Sequence, residues 1–322
     1  MTVSGAALAA GNYVYTSGTA VPCAIDEDDL ENKPEQFFTS EKGNGPFRGD
    51  GWDKWVGYDL SSWWLTESSY QSVEIPVADN ILLSAWWITP TVSNGKNVIV
   101  THGFGASRRD FNVLLPTAML VKDGFHVLLV DTRDTGESTC TDGRHSAGQE
   151  QSSDFAAVAD WLIENKDINA SSLGMFGVSG GAISASLLPA KTQNVSAFAM
   201  ESTIFDFNAA ATREVEYQGF PGFLWTLAVL SAQLFHGVNL NETSVMQGIE
   251  AAGSRPMLIL HGDSDQRLDY QSSVDFYSYG NSVGANITFE TFEGADHTEG
   301  MLTETDRYAK VLTSFFDKAL TK

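Results

Sequence analysis

The sequence predicts an α/β fold, with a mostly parallel, twisted sheet and helices on both of its faces. Five short apolar runs are typical of buried parallel strands, at residues 98–101, 127–130, 173–176, 195–200 and 257–260. Helical patterns separate several of these runs. One of them places Phe155, Val158, Ala159 and Leu162 on a single face, and the last places Tyr308, Val311, Leu312, Phe315 and Ala319 together. Alternation of strand and helix indicates crossover connections, which build a parallel sheet.

Three further strand patterns extend this series. Residues 70–77 and 81–89 predict two strands joined by a turn at Asp79 and Asn80, and residues 287–292 predict another strand near the end. Residues 202–255 carry no strand pattern, and one crossover helix does not need that length. We therefore expect a helical lid there. Its aromatic residues Phe220, Phe223 and Trp225 either line an apolar or aromatic acyl pocket or only pack the lid onto the body.

The composition indicates a globular protein with an acidic surface. Of 322 residues, 43% are hydrophobic and 19% are charged, which allows a large core and excludes general disorder. Lys and Arg number 19 against 41 Asp and Glu, so the formal net charge is −22. Such a surface repels phosphate backbones, and nucleic acid is not an expected partner. No apolar stretch reaches the length of a transmembrane helix, so no membrane span is expected.

The first 68 residues predict an irregular arm, and residues 69–322 the α/β domain. The arm contains an acidic run at 26–31 and a Gly-rich stretch at 43–51. Six of the eight tryptophans lie between Trp52 and Trp87, which indicates that the arm packs onto the body. The apolar start has no Lys or Arg before Lys33, unlike a signal peptide. It fits either the trimmed end of an anchor or signal of an exported or envelope protein, or the plain terminus of a cytoplasmic one.

Only two cysteines occur, Cys23 and Cys140. They exclude a disulfide scaffold and a multi-cysteine zinc site, and no other metal-ligand spacing is evident, so no metal or cofactor is expected. One bridge between them and two unpaired thiols are both compatible with the sequence.

The strongest motif is Gly177-Val178-Ser179-Gly180-Gly181, between an apolar strand and a small-residue helix. A strand–turn–helix G-x-S-x-G places a serine on a sharp turn, where Gly177 and Gly181 keep the flanks free of bulk. The turn also puts the Ser179 hydroxyl at a helix N-terminus, whose N–H groups favour developing negative charge. We expect Ser179 to be a nucleophile.

A second motif, His102-Gly103-Phe104-Gly105, follows the strand pattern at 98–101. A turn of this type offers a backbone N–H to an oxyanion, and the other N–H comes from the residue after the nucleophile. The predicted oxyanion hole therefore consists of the Phe104 and Gly180 amides. His102 is expected to be structural.

Two later strand ends carry the remaining polar groups. Asp263 and Asp265 both follow the strand at 257–260, and either carboxylate could orient a base while the other makes a turn. His297 follows the strand at 287–292, and the other five histidines lie in core, loop, lid or turn positions. His297 is therefore the predicted base.

From about residue 70 onward, the chain resembles the α/β-hydrolase superfamily. It is most similar to lid-bearing single-domain serine esterases related to serine aminopeptidases and to cinnamoyl or feruloyl esterases. The resemblance rests on residues 102–105, 131–138, 177–181, 261–265 and 296–297. It implies nucleophile, acid and base in the order Ser179, Asp265, His297, since the family's acid ends an H-G-x-x-D turn. One departure is Asp134, which stands where the family usually has glycine.

The expected function is hydrolysis of carboxylic esters by a serine esterase through a covalent acyl-enzyme. A small-molecule or polymeric ester is the expected substrate. One alternative is a peptidase for short peptides, with Glu201 or Glu214 holding the substrate's amine. Another is a non-catalytic binding protein of the same fold, although such proteins usually lack a triad residue. The oligomeric state cannot be derived from the residues.

Overall fold

The computed structural model describes residues 5–24, 30–40 and 49–322. Most of the acidic run and of the Gly-rich stretch in the arm therefore lies outside the described residues. Within the described ranges, no helix combines the length and the apolar character that crossing a bilayer requires.

A single eight-stranded sheet forms the centre of the fold, in the order β1-β2-β4-β3-β5-β6-β7-β8. Its strands are β1 (Ser69–Ala78), β2 (Ile81–Thr89), β3 (Asn97–Thr101), β4 (His126–Val130), β5 (Leu173–Val178), β6 (Ala197–Glu201), β7 (Met257–Gly262) and β8 (Ile287–Phe292). β2 pairs antiparallel with β1 and β4, and all the other pairs are parallel. The predicted strands and the α/β class are confirmed.

The helices are α1 (Gly5–Gly18), α2 (Phe111–Lys122), α3 (Gln149–Lys166), α4 (Gly180–Leu187), α5 (Phe207–Tyr217), α6 (Phe223–Ser231), α7 (Val245–Ala252), α8 (Tyr270–Ser282), α9 (Gly300–Thr303) and α10 (Thr305–Ala319). One apolar core lies between the sheet and α2 and α10, and a second lies between the sheet and α3, α4, α7 and α8. Helices therefore cover both faces, and parallel strands buried on both sides need to be almost wholly apolar.

The segment predicted as a lid is helical. Between β6 and β7 it contains α5, α6, a π-helical turn at Ala232–His236, and α7. α7 packs on α4 of the main body. Trp225 of α6 is buried with Val14 and Tyr15 of α1 in a separate apolar cluster.

The arm is not irregular throughout, because Gly5–Gly18 forms the helix α1. This helix lies against α6, and the contact is close at Gly11, where a Cβ would lie 2.5 Å from the Leu227 carbonyl oxygen. Further along, Trp52 is buried beside Phe111 with ring centroids 5.6 Å apart. The arm thus packs onto the body, whereas a domain boundary at residues 68–69 stays a prediction.

Cys23 and Cys140 form a disulfide with their Cα atoms 5.6 Å apart. The bond joins the segment after α1 to the loop after β4. Backbone hydrogen bonds run alongside it, from Val21 N–H to the Gly143 carbonyl and from His145 N–H to the Thr19 carbonyl. Of the two alternatives that the sequence left open, the structure contains the bridge.

Candidate active site

Ser179 lies between β5 and α4 on a strained turn, with φ 53° and ψ −112°. A positive φ is costly for a residue other than glycine and is characteristic of functional sites. The flanking glycines permit the turn: a Cβ on Gly177 would lie 2.2 Å from the Gly181 carbonyl oxygen, and one on Gly181 2.6 Å from the His102 carbonyl oxygen. The Ser179 N–H donates to the Glu201 carbonyl at 2.8 Å, which ties the turn to β6.

His297 lies between Ser179 and Asp265, although the three are far apart in the sequence. Its Nε2 is 3.0 Å from the Ser179 hydroxyl oxygen, and its Nδ1 is 2.8 Å from Asp265 Oδ2. The Asp265 side chain is fully buried. Burial alone raises the pKa of Asp265, but the charge and hydrogen bonds of His297 and His261 outweigh it and hold that pKa well below its usual range. The carboxylate is therefore ionised beside the imidazole.

The competing carboxylate, Asp263, has a different environment. It is exposed, and its Oδ1 accepts hydrogen bonds from the Gly294 N–H at 2.7 Å and the Ser264 hydroxyl at 3.2 Å. These are bonds of a turn residue. The geometry therefore brings Asp265, and not Asp263, to His297.

The two predicted oxyanion donors are neighbours. A Cβ on Gly180 would lie 2.9 Å from the Phe104 amide nitrogen, and one on Gly103 3.1 Å from the Ser179 Cβ. Gly180 is the first residue of α4, where an N–H has no acceptor within the helix. Within the described part of the chain, neither the Phe104 nor the Gly180 N–H is taken up by another group. Two unpaired amides beside a serine are suited to binding an oxyanion.

His102 supports this arrangement from behind. Its Nε2 accepts the Thr132 N–H at 3.2 Å, so Nδ1 carries the proton and donates to the Gly103 carbonyl at 2.9 Å. Burial lowers the pKa of His102 and keeps the ring neutral. Because the C=O and N–H of one peptide point in opposite directions, this bond also orients the Phe104 N–H. His102 is in the structural role that the sequence predicted.

The loop after β4 accommodates Asp134 at the position where the α/β-hydrolase superfamily usually has glycine. Asp134 has φ 65°, the left-handed conformation that glycine adopts freely. Its Oδ1 accepts from the Asp142 and Gly143 N–H groups at 3.0 and 3.1 Å, which stabilises that conformation. Nearby, Asp131 binds the backbone N–H and the guanidinium of Arg108. The departure in sequence leaves the triad geometry unaffected.

A cavity of about 260 Å³ contains Ser179 and His297. Among the described residues, its apolar lining includes Phe104, Val113 and Val178, and its polar lining includes Asp110, Asn112 and Arg267. A wider surface depression of about 540 Å³, between the arm and the start of α10, contains no triad residue.

The three aromatic residues predicted to bind substrate do not line this cavity. Phe220 and Phe223 are exposed at 45% and 65%, and Trp225 is buried against Phe207 with its indole N–H on Asn208. The sequence showed that these residues are apolar, but the direction in which each side chain points depends on how α6 packs on α1.

Glu201 was considered as a ligand for a peptide's amine, but it is fully buried at the end of β6. Its Oε2 accepts the Tyr308 hydroxyl at 3.0 Å. Burial, assisted by the charge of Asp265 and opposed by the Tyr308 hydrogen bond, raises the pKa of Glu201 to about 8. The other candidate, Glu214, is exposed on α5 and bonds Gln218, outside the cavity. The sequence around Glu201 does not indicate that this side chain is buried and protonated.

Comparisons with known proteins agree with this fold. Residues 110–322 match the model of the prolyl oligopeptidase family. The thiohydrolase aneE of Aspergillus aculeatus is 29% identical over 115 residues, 35% of this chain and only 35% of its own length. The uncharacterized protein YfhR of Escherichia coli O157:H7 is 24% identical over 214 residues, 65% of this chain and 68% of its own.

Solved structures are similar over most of the chain. The Pyrococcus furiosus esterase Pf2001 superposes with a TM-score of 0.65 at 20% identity, covering 90% of this chain and 100% of that one. A puromycin-hydrolysing peptidase of Mycobacterium tuberculosis superposes with a TM-score of 0.64 at 17% identity, covering 81% of this chain and 40% of that one. At such identities the likeness shows the α/β-hydrolase fold. Because the family model extends over most of the chain, this protein belongs to the prolyl oligopeptidase family and is a member of the serine hydrolase superfamily.

Proposed function

We propose that this protein cleaves carboxylic esters through an acyl-enzyme, with Ser179 as nucleophile, His297 as general base and acid, and Asp265 as the carboxylate that orients the base. The observation that carries the proposal is the pair of contacts on His297, 3.0 Å to the Ser179 hydroxyl and 2.8 Å to Asp265. A nucleophile, a base and an orienting group within hydrogen-bond reach are the recognised arrangement for covalent catalysis.

In the first half-reaction, His297 Nε2 takes the Ser179 proton while the hydroxyl oxygen attacks the ester carbonyl. The carbonyl oxygen becomes negatively charged, and the unpaired Phe104 and Gly180 N–H groups stabilise it. The protonated His297 then gives its proton to the leaving alcohol. In the second half-reaction, water replaces the alcohol and the same groups release the acid. Asp265, ionised and buried, stabilises the imidazolium in both halves.

The cavity favours a compact acyl group with apolar or aromatic character. Its volume of about 260 Å³ lies just below the usual range for small-molecule sites, and Phe104, Val113 and Val178 form the apolar part of its wall. This preference rests on the walls of the cavity and not on Phe220, Phe223 or Trp225, which do not line it.

The test compares hydrolysis of p-nitrophenyl esters, from acetate to dodecanoate, by wild type and Ser179→Ala. We expect the variant to lose roughly 10⁴-fold or more in kcat, because no other group takes over the nucleophile's role. Ser264→Ala is the matched control, an exposed serine whose hydroxyl bonds only Asp263 among the described residues. Near-normal hydrolysis by Ser179→Ala would remove the proposal.

A peptidase acting on short peptides is the second candidate, favoured by the family match and by the mycobacterial peptidase among the structural neighbours. Neither acid considered from the sequence can hold the amine at the cavity, since Glu201 is buried and Glu214 lies elsewhere. Asp110 does line the cavity, but its Oδ1 accepts the Asn112 N–H as the N-cap of α2. Turnover of aminoacyl p-nitroanilides at rates above those of the esters would reverse the ranking.

A further inference from the structure

A second imidazole contacts the proposed catalytic carboxylate. His261, on β7, places its Nε2 2.9 Å from Asp265 Oδ2, the same oxygen that binds His297. On its other side, His261 Nδ1 lies 2.6 Å from the Ser273 hydroxyl of α8. A continuous chain of hydrogen bonds therefore runs from the buried Ser273 through Asp265 to Ser179.

The partners of His261 determine which nitrogen carries its proton. Nε2 faces two acceptors, the Asp265 carboxylate and the Leu268 carbonyl at 3.2 Å, so Nε2 bears the hydrogen. Nδ1 is hydrogen-bonded to the Ser273 hydroxyl, which has no other hydrogen-bond partner within the described chain. His261 thus donates from Nε2 to the carboxylate and is held by Ser273 on its other side.

This donor completes the coordination of Asp265. The Arg267 and Leu268 N–H groups donate to Oδ1 at 2.9 and 2.7 Å, while His261 and His297 donate to Oδ2. A buried carboxylate needs such donors, since each lost partner leaves charge without compensation. His261 and Ser273 are both fully buried, so neither reaches substrate.

We propose that His261 is a positioning residue: its Nε2–H holds the Asp265 carboxylate in the orientation and charge state that suit His297. This inference rests on the proposed triad. Regular secondary structure supplies both groups: His261 lies within β7 in register with Thr291 of β8, and Ser273 lies within α8. Ser273 of α8 therefore holds the His261 ring on the side opposite Asp265.

Three variants test the proposal on the p-nitrophenyl ester that wild type turns over best. His261→Met removes the donor and retains bulk, and we expect kcat to fall about 10- to 100-fold, the size expected for a hydrogen bond to a charged group, with KM unchanged. His261→Gln places an amide N–H near the position of Nε2 and should recover most of kcat. Ser273→Ala removes the hydrogen-bond partner of His261 Nδ1, so the ring is held less firmly, and kcat should fall several-fold.

The pH profile separates positioning from mere folding. Among the described residues, the ionisable groups that act on Asp265 are His261 from β7, His297 from the loop after β8, and Glu201 from β6, which is protonated at neutral pH. Asp269 at the start of α8 interacts with His261. Without His261, the carboxylate holds more uncompensated charge and favours protonated His297. The acid limb of kcat/KM in His261→Met should then move to higher pH, and in His261→Gln it should stay near that of wild type.

Two outcomes overturn the inference while leaving the triad intact. One is a folded His261→Met enzyme with wild-type kcat and pH profile. The other is a folded Ser273→Ala enzyme with wild-type kcat and pH profile when His261→Met does not fold. In either case Ser179→Ala is inactive and fluorophosphonate labels wild type at Ser179. If Ser179→Ala itself retains activity, the proposed function fails first.

Discussion

Removal of the Cys23–Cys140 disulfide should lower the stability of the whole domain. The bond closes a chain segment of 117 residues, which includes β1 to β4 and α2. In the chain-entropy model, a cross-link of that span reduces the entropy of the unfolded state by about 16 cal/mol/K, or about 5 kcal/mol at 25 °C. For 322 residues, with an unfolding entropy of about 0.7 kcal/mol/K, this amounts to a decrease of about 7 °C in Tm.

The assay is thermal and urea unfolding of wild type, Cys23→Ser and the double variant Cys23→Ser/Cys140→Ser. Both cysteines are exposed, so serine removes little apolar burial and the difference reports the cross-link. The single and double variants should have the same Tm, because either one breaks the bond. Ester hydrolysis at 25 °C should stay close to wild type, since the hydrogen bonds of Thr19 and Val21 still hold the segment.

A double variant whose Tm lies within 2 °C of wild type would refute this reasoning. So would unchanged stability of wild type after reduction, once free thiols have been counted. Either result would mean that the loop is already restricted in the unfolded ensemble.

Three further predictions concern single side chains. Glu201 has a pKa of about 8 in the folded state and about 4.5 in the unfolded state, so the folded protein binds the proton more tightly. As the pH rises between these values, wild type should lose stability relative to Glu201→Gln, by up to about 1.4 kcal/mol per pH unit. Urea unfolding of both proteins at pH 5, 7 and 9 measures this difference. Gly248→Ala should destabilise by about 1–3 kcal/mol, because its Cβ would lie 1.9 Å from the Ser186 carbonyl oxygen. Gly280→Ala meets only the Ile287 side chain, at 3.1 Å or more, and should be close to neutral because the gain in helix propensity offsets the mild crowding; equal unfolding midpoints of the two variants would contradict this. Asp265→Asn should keep the fold but lose about 10⁴-fold in kcat, since His297, the proposed base, loses its orienting carboxylate; a loss below tenfold would argue against this role.

Much of the fold could be predicted because buried strands have a recognisable apolar composition. β5 reads Leu-Gly-Met-Phe-Gly-Val and is buried at every position, as a central parallel strand requires. The helix α1 was not predicted, because its sequence carries no comparable local signal. Its fourteen residues include three glycines and no charged first or last turn, so little in the sequence favours a helix. Packing against α6 stabilises α1, and this contact cannot be predicted from the sequence pattern.

The candidate site shows the same division. The glycines around Ser179 and the polar residues at successive strand ends were recognisable, because a sharp turn and the carboxyl edge of a parallel sheet constrain residue type locally. The residue pattern alone left Asp263 and Asp265 open, since both follow β7, and the choice of Asp265 came only from the family resemblance. The path of the turn brings Asp265 to His297.

The α/β class, the strand ends and the candidates for nucleophile, acid, base and oxyanion donors could all be predicted from the residue pattern. The pairing of Cys23 with Cys140, the absence of Phe223 and Trp225 from the described lining of the cavity, and the contact of His261 with Asp265 became evident only from the packing. Local patterns record which side chains must be buried and where the chain must turn. Which buried groups become neighbours depends on how distant segments pack.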